Sequence, residues 1–330
     1  MKPCFVLLLT LLTLTATAED RRRFRVMTWN VENLFDTLHD EGYDDADYLP
    51  QGAYGWNTVR YRVKLGRLAR AIAAVGGAEP ASLVGLCEVE NDSVLEALTT
   101  QTALARLGYC YLVTHSRDRR GIDVALLYQP DAFRPLTTRA LRVPYDSLRE
   151  RPTRDILLCD GQTASGDTLT VAVCHLPSRR GGASRTAGYR CRAAALLRHA
   201  ADSIARERQH FAMVIMGDFN DGAHNASVAT FADSAFCVMS DTLTARGDIH
   251  GTYLYQGKWD RLDQIIVSRT LLRAAPSHLA CSREDCRIFA PDFLLERDAQ
   301  GMMKPFRTYL GTFYHGGYSD HLPLVLDLWW

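Results

Sequence analysis

Short apolar runs punctuate the chain at Phe24 to Trp29, Ser82 to Cys87, Val124 to Tyr128, Asp155 to Cys159, Leu169 to Cys174, Phe211 to Met216, Leu262 to Val267 and Pro323 to Leu328. Their length and polar boundaries predict strands. Helical spacing appears between some of them. Arg60 to Val75 places Val63, Leu65, Leu68, Ile72 and Val75 mostly on one face, with arginines and Lys64 elsewhere. Asp92 or Ser93 is positioned to cap a helix carrying Val94, Leu95 and Leu98, and Gly188 to Arg208 repeats alanine and leucine at helical intervals. Many strands, few helices and no strict βαβ alternation predict a layered α+β domain of two packed mixed sheets with helices outside. Residues 36–57, acidic and rich in tyrosine and glycine, and residues 287–318, with little periodicity, read as long loops around a site.

The amino terminus follows another pattern. Lys2 precedes the apolar run Phe5 to Leu14, and Ala16-Thr17-Ala18 fits a small-residue cleavage site. This is the layout of a secretory signal, too short to span a bilayer. The expected domains are therefore a signal over residues 1–18 and one catalytic domain over 19–330, exported to the periplasm or the extracellular space. Hydrophobic residues make up 47% and charged residues 23% of the chain, enough apolar material for a sizeable core. Losing the signal removes one lysine and leaves 37 basic against 38 acidic side chains. No basic surplus advertises nucleic-acid binding, which lowers that expectation without removing it. Cys87, Cys159 and Cys174 read as buried thiols, and Cys281 with Cys286 as candidates to close a small loop in an oxidising compartment. No Cys/His spacing resembles a zinc site.

The candidate chemistry lies at strand ends. Asn30 ends the first run, Glu88 the second, His175 the run LTVAVC, and Asp218 with Asn220 the run FAMVIM. Ends of neighbouring parallel strands share one sheet edge. Asp263, Asp320 and His321 precede their strands and join that edge if those strands run antiparallel. Asp218 and Asn220, two apart, project to one side of an extended chain, and Gly217 leaves room for close approach. Glu88, Asp218, Asp320 and the amides of Asn30 and Asn220 offer oxygen only, which suits Mg²⁺ or Mn²⁺, with Ca²⁺ as a further option, over zinc. With two histidines nearby and no nucleophilic Ser or Cys motif, this is a toolkit for attack by water on a phosphoester.

The segments TWNVENLF, GLCEVEN, VCHLPS, MGDFND, RLDQIIVS and YSDHLP, in that order over nearly the whole mature chain, resemble the endonuclease/exonuclease/phosphatase superfamily. Any one of these segments alone is weak; GDFN and SDHLP together, with their spacing intact, are the specific pair. The resemblance implies a four-layer α/β/β/α sandwich with two central mixed sheets. It implies Glu88 as the principal metal ligand, supported by Asn30 and Asp320, with Glu32 as a further metal-proximal carboxylate. Asp218 would position or activate the water, and Asn220 would hold a phosphate oxygen. His321, oriented by Asp263, would be the base or the phosphate-stabilising imidazole, and His175 a general acid. Arg154 would contact phosphate, while Arg117, Arg119, Arg120, Arg179 and Arg180 are phosphate contacts or ordinary surface charge. The cluster Asp44, Asp45 and Asp47 lacks calcium-loop spacing and reads as a solvated acidic loop.

Two histidines and an export signal favour a secreted nuclease acting on DNA or RNA, a monomer with no stable protein partner. The alternative is the same chemistry on sphingomyelin, a phosphoinositide or another small phosphoester, which near-neutral charge and the aromatic loop residues Tyr309, Phe313 and Tyr314 keep open. A third possibility, a non-catalytic binding protein on the same scaffold, is disfavoured because no metal or histidine position is lost.

Overall fold

The structure, a computed structural model, describes residues 21–145, 150–243, 245–273 and 278–330. The segment expected to direct export, residues 1–18, lies outside them. Two six-stranded mixed sheets form the centre. The first contains β1 (Arg23–Leu34), β2 (Leu83–Val89), β3 (Cys110–Val113), β4 (Asp123–Tyr128), β13 (Cys286–Ile288) and β18 (Leu324–Trp329), in the order 13-18-1-2-4-3. The second contains β5 (Phe133–Leu141), β6 (Ile156–Thr163), β7 (Thr168–His175), β8 (Ala212–Asp218), β9 (Phe236–Val238) and β12 (Asp263–Ser268), in the order 5-6-7-8-12-9. Three small hairpins sit in the connections: β10 (Tyr253–Tyr255) with β11 (Lys258–Asp260), β14 (Leu295–Arg297) with β15 (Met303–Pro305), and β16 (Tyr309–Leu310) with β17 (Phe313–Tyr314).

The two-residue period of a strand divides its side chains between layers. In β8, Ala212, Val214 and Met216 enter the core between the sheets, while Met213 and Ile215 face the opposite way. Strand β7 does the same with Val171 and Val173 against Ala172 and Cys174. The outer face of the second sheet is covered by α3 (Ala183–Glu207) through Ala193, Ala194, Leu197, Ala201 and Ile204. The first sheet is packed by α1 (Thr58–Gly76), through Leu65, Leu68, Ile72 and Val75, and by α2 (Asp92–Thr100). The short helix α4 (Ala226–Ala229) packs beside α3. The α+β architecture of two mixed sheets with helices outside is the expected one.

Several details differ from expectation. Strand β5 was not anticipated, because FRPLTTRAL is polar and mostly exposed; it is an edge strand, where Pro135 is tolerated. Helix α3 starts at Ala183, earlier than the apolar periodicity indicates. The cap of α2 is Asn91, whose side-chain oxygen accepts from Val94 N at 3.2 Å, rather than Asp92 or Ser93. Lys64 is buried, not on the polar face, and its ammonium donates to Thr308 Oγ1 and the Tyr318 carbonyl, both at 2.6 Å. Asp45 is buried rather than solvated and pins its loop through His39 Nδ1 at 2.6 Å and Asp40 N at 2.7 Å. Cys281 and Cys286 are both buried free thiols and close no loop.

Strand polarity matters most for function. β1 runs parallel to β2 and antiparallel to β18; β7 runs parallel to β8, and β12 antiparallel to it. The carboxyl ends of β1, β2, β7 and β8 therefore meet the starts of β12 and β18 on one edge of the sandwich.

Candidate active site

Strand register sets the first row of the site. His175, Asp218 and Asp263 are direct neighbours across β7, β8 and β12. Adjacent strands lie about 4.8 Å apart, so their side chains share one level. Gly217, one residue before Asp218, has φ +138°, and a Cβ there would overlap the carbonyl oxygen of Cys174. Only glycine lets β7 and β8 close at this point.

Across the facing sheet, Glu88 and Asn30 arrive by irregular backbone. The β1–β2 register shifts between Asn30 and Leu34, and the β2–β4 register between Cys87 and Val89. Glu32, Asn33, Glu88 and Asn220 all have positive φ, near 50–66°. Among the described residues Gln256 is the one other non-glycine residue in this region. Such strain collects where a structure re-aims side chains at a site.

Asp218 stands at the centre. Its Oδ2 accepts from Asn30 Nδ2 at 3.0 Å and lies 3.5 Å from His175 Nε2 and 4.0 Å from His321 Nε2. Its Oδ1 accepts from Asn220 N at 2.7 Å. Burial, reinforced by the nearby charge of Asp263, raises its pKa to about 7. His321 Nδ1 is 2.7 Å from Asp263 Oδ2, which also accepts from Thr252 Oγ1 at 2.5 Å; Tyr253 tilts against the imidazole with centroids 4.8 Å apart. Burial alone would lower the His321 pKa, but Asp263, Asp218 and Asp320 overcome it and hold the imidazole cationic, well above its usual value. His175 shifts the other way: burial first, then Arg154, Arg120 and His321, push its pKa well down and keep it neutral. Its Nδ1 has no partner among the described residues.

Around this centre, Glu88 Oε2 accepts from Asn33 N at 2.9 Å, while Oε1 lies 3.9 Å from His175 Nε2. Asp320 pairs with Arg307 at 3.0 Å. Asn220 Nδ2 donates to the Leu176 carbonyl at 3.0 Å. Arg154 is buried, donates to Asp118 at 3.1 Å and the Leu176 carbonyl at 2.8 Å, and keeps an unpartnered Nε. Asn30 is engaged at both ends of its amide, since its Oδ1 accepts from Glu32 N at 3.0 Å while Nδ2 holds Asp218. Glu32 points elsewhere. Its carboxylate accepts from Thr308 N at 2.6 Å and Tyr309 N at 3.3 Å, and burial together with Asp320 raises its pKa to about 7.

These groups border a cleft of about 940 Å³ lined by Asn30, Glu88, Arg154, His175, Asp218, Asn220, Asp320 and His321. Neither Glu32 nor Asp263 lines it; Asp263 backs His321 from behind. Arg119, Arg120, Arg179 and Arg180 join the lining, together with Arg151, which the sequence did not single out, whereas Arg117 does not. Asp218, Asp263 and His321 bring ligand atoms within 4.8 Å of one another.

Asp221 also went unnoticed, although it follows Asn220 directly. It accepts from buried Arg190 at 2.7 Å and Ser227 Oγ at 2.6 Å, and Arg179 lies 3.3 Å away. Breaking a buried pair strands a charge. Arg190→Ala is expected to cost about 3–5 kcal/mol in urea unfolding, whereas Arg206→Ala on the exposed side of α3 changes the midpoint little.

Comparisons with known proteins bear on the family and the fold. A family model described as the Endonuclease/Exonuclease/phosphatase family matches residues 25–329. Among solved structures, an endonuclease/exonuclease/phosphatase family protein from Bacteroides thetaiotaomicron is similar at 15% identity and TM-score 0.59, covering 94% of this chain and 96% of that one. A mannosyl-6-phosphatase from the same organism gives 16%, 0.58, 92% and 99%, and the human Nocturnin catalytic domain with bound sulfate anion 18%, 0.56, 93% and 97%. No curated protein sequence matches the chain significantly.

Proposed function

Because the chain belongs to the endonuclease/exonuclease/phosphatase family, matched over residues 25–329, we propose that this phosphoesterase is an exported, divalent-metal-dependent phosphodiesterase that hydrolyses nucleic acid. The observation that carries the substrate class is the cleft wall. Arg119, Arg120, Arg151, Arg154, Arg179 and Arg180 all border one cavity, although the whole chain has no net charge. Guanidinium groups suit phosphate, and several in a row suit a chain of phosphates more than one headgroup. Arg151 and Arg180 are exposed and carry no ion pair among the described residues, so they are available to a ligand.

The donor set fits a hard divalent ion. Glu88, Asp218 and Asp320 supply carboxylate oxygens, and the side-chain oxygen of Asn220 remains after its Nδ2 is spent on Leu176. This suits Mg²⁺ or Mn²⁺, with Ca²⁺ as a further candidate. When bound, such an ion supplies Lewis-acid charge at the phosphoryl oxygen. Asn30 acts chiefly by fixing Asp218, and Glu32 by fixing the 308–309 backbone. Asp218 and neutral His175 lie close enough together to orient a water and accept its proton. Cationic His321, held by Asp263, stabilises charge on the phosphate and can protonate the leaving oxygen. The opposite pKa shifts favour this division of labour over the general-acid role the family resemblance implies for His175. The amino-terminal pattern supports export; no helix among the described residues is long and apolar enough to cross a membrane.

The test is hydrolysis by residues 19–330 of plasmid DNA, RNA, sphingomyelin, a phosphoinositide and bis-p-nitrophenyl phosphate, with Mg²⁺ or EDTA. Metal-dependent cleavage of DNA or RNA is expected. Turnover confined to a lipid or a phosphomonoester would overturn the substrate and keep the chemistry. Neutralising Arg151 and Arg180 together is expected to raise KM for DNA by at least about fivefold, on the order of 1 kcal/mol. It should leave kcat and bis-p-nitrophenyl phosphate turnover nearly unchanged.

A further inference from the structure

At the opposite edge of the second sheet lies a second cluster of ligating groups. Asp167 precedes β7, His210 precedes β8, and His278 lies in the connection that leads to β13. β7 and β8 are parallel, so this edge is about 23 Å from His175 and Asp218, seven strand residues away. We propose that Asp167, His210 and His278 form a binding site for a zinc-class transition-metal ion, with two imidazole nitrogens, one carboxylate oxygen and a fourth position left to water.

The donor set and its support carry the proposal. One ligand atom from each residue lies within 4.8 Å of the others. In a tetrahedral zinc site, ligand atoms are about 3.4 Å apart and each imidazole lone pair points at the ion, so closure requires the ligand atoms to move on the order of 1 Å and one of the near-parallel rings to turn. Asp167 is buried and held from behind: Oδ2 accepts from Leu279 N at 2.7 Å and Ser165 Oγ at 3.0 Å. This leaves Oδ1 facing His278 Nδ1 at 2.5 Å. Fixing a ligating carboxylate through its other oxygen is how such sites are oriented. Burial opposes ionisation of Asp167, but hydrogen bonds from His278, Leu279 and Ser165 prevail and keep it a carboxylate. The rings of His210 and His278 stack, with centroids 4.4 Å apart and planes 21° from parallel. On binding, the ion takes the place of the proton shared between Asp167 Oδ1 and His278 Nδ1, and that proton leaves to solvent.

The donor chemistry also separates the two sites. The cleft offers mainly oxygen and suits Mg²⁺, whereas a His₂Asp set suits Zn²⁺. Location supplies a purpose. Leu279 is tied to Asp167 in the second sheet, and Ala280 pairs with Trp329 of β18 in the first. An ion at His278 therefore staples the two sheets at the end away from the cleft.

Zinc content after equilibrium dialysis tests this in a His321→Ala chain, which weakens the other histidine-bearing cluster. Adding His210→Ala or His278→Ala is expected to lower bound zinc by one ion per chain. Saturating zinc should raise the melting temperature of the His321→Ala parent by about 5 °C at a hundredfold excess over Kd, and of neither double variant. Unchanged zinc content in a folded His210→Ala double variant would overturn the proposal and leave the cluster a hydrogen-bonded Asp–His clip with a stacked ring. No zinc bound by the parent would overturn it equally. His210→Ala in the wild-type background is expected to keep full Mg²⁺-dependent hydrolysis, which separates this site from the cleft.

Discussion

Replacing His321 by alanine is expected to lower phosphodiester hydrolysis by about three to four orders of magnitude, with the chain still folded. His321 faces Asp218 across 4.0 Å, lines the cleft, and is the group whose charge three carboxylates sustain. The segment keeps an anchor without the ring, since Trp29 Nε1 donates to the His321 carbonyl rather than to its imidazole. Asp263→Asn separates charge from position. It keeps a side chain of the same shape against Nδ1 but removes the negative charge that raises the His321 pKa. If His321 must be protonated to act, activity is lost as pH rises through its pKa, and lowering that pKa moves the alkaline limb of the rate profile to lower pH. The expected result is a loss of about a hundredfold near neutrality that partly recovers under acidic conditions. A pH–rate profile for both variants checks this. An unchanged alkaline limb in Asp263→Asn would remove His321 from the role of acid.

Much of this site was legible in the sequence because strand ends obey a simple rule. A polar residue that ends a parallel strand, or begins an antiparallel one, arrives at the same edge. Glu88, His175, Asp218, Asp263, Asp320 and His321 follow it, whereas Asn30 lies four residues inside β1, where the register with β2 breaks. Side-chain direction was less legible. Glu32 sits two residues beyond Asn30, but the positive φ of Glu32 and Asn33 aims its carboxylate at the 308–309 backbone instead of the cleft. Long-range polar partners were invisible for a different reason. The Arg190–Asp221 pair, buried Lys64 and the Asp167–His210–His278 cluster join residues 31 to 254 positions apart, and neither periodicity nor motif encodes such meetings. Strand β5 was missed because its partner supplies the ladder while its own side chains remain in solvent.

Replacing Glu88 by glutamine is expected to abolish activity at low metal concentration and to restore part of it as Mg²⁺ or Mn²⁺ is raised. The substitution keeps size and an oxygen that can accept from Asn33 N, so the left-handed turn at Glu88, with φ 66°, retains its anchor. What it removes is a carboxylate from a cleft where Asp320 is already paired with Arg307 and burial raises the pKa of Asp218 to about 7. Glu88 is then the carboxylate best able to attract a hard cation, and its loss bears on metal affinity before it bears on proton transfer. The expected effect is about a thousandfold loss at submillimolar Mg²⁺, with the metal titration midpoint moved upward by about ten- to a hundredfold. His321→Ala should show no such recovery, because more metal cannot replace a proton donor. Parallel titrations of the two variants with Mg²⁺ separate the metal-binding half of the site from the proton-handling half. Equal recovery in both, or in neither, would sink that division.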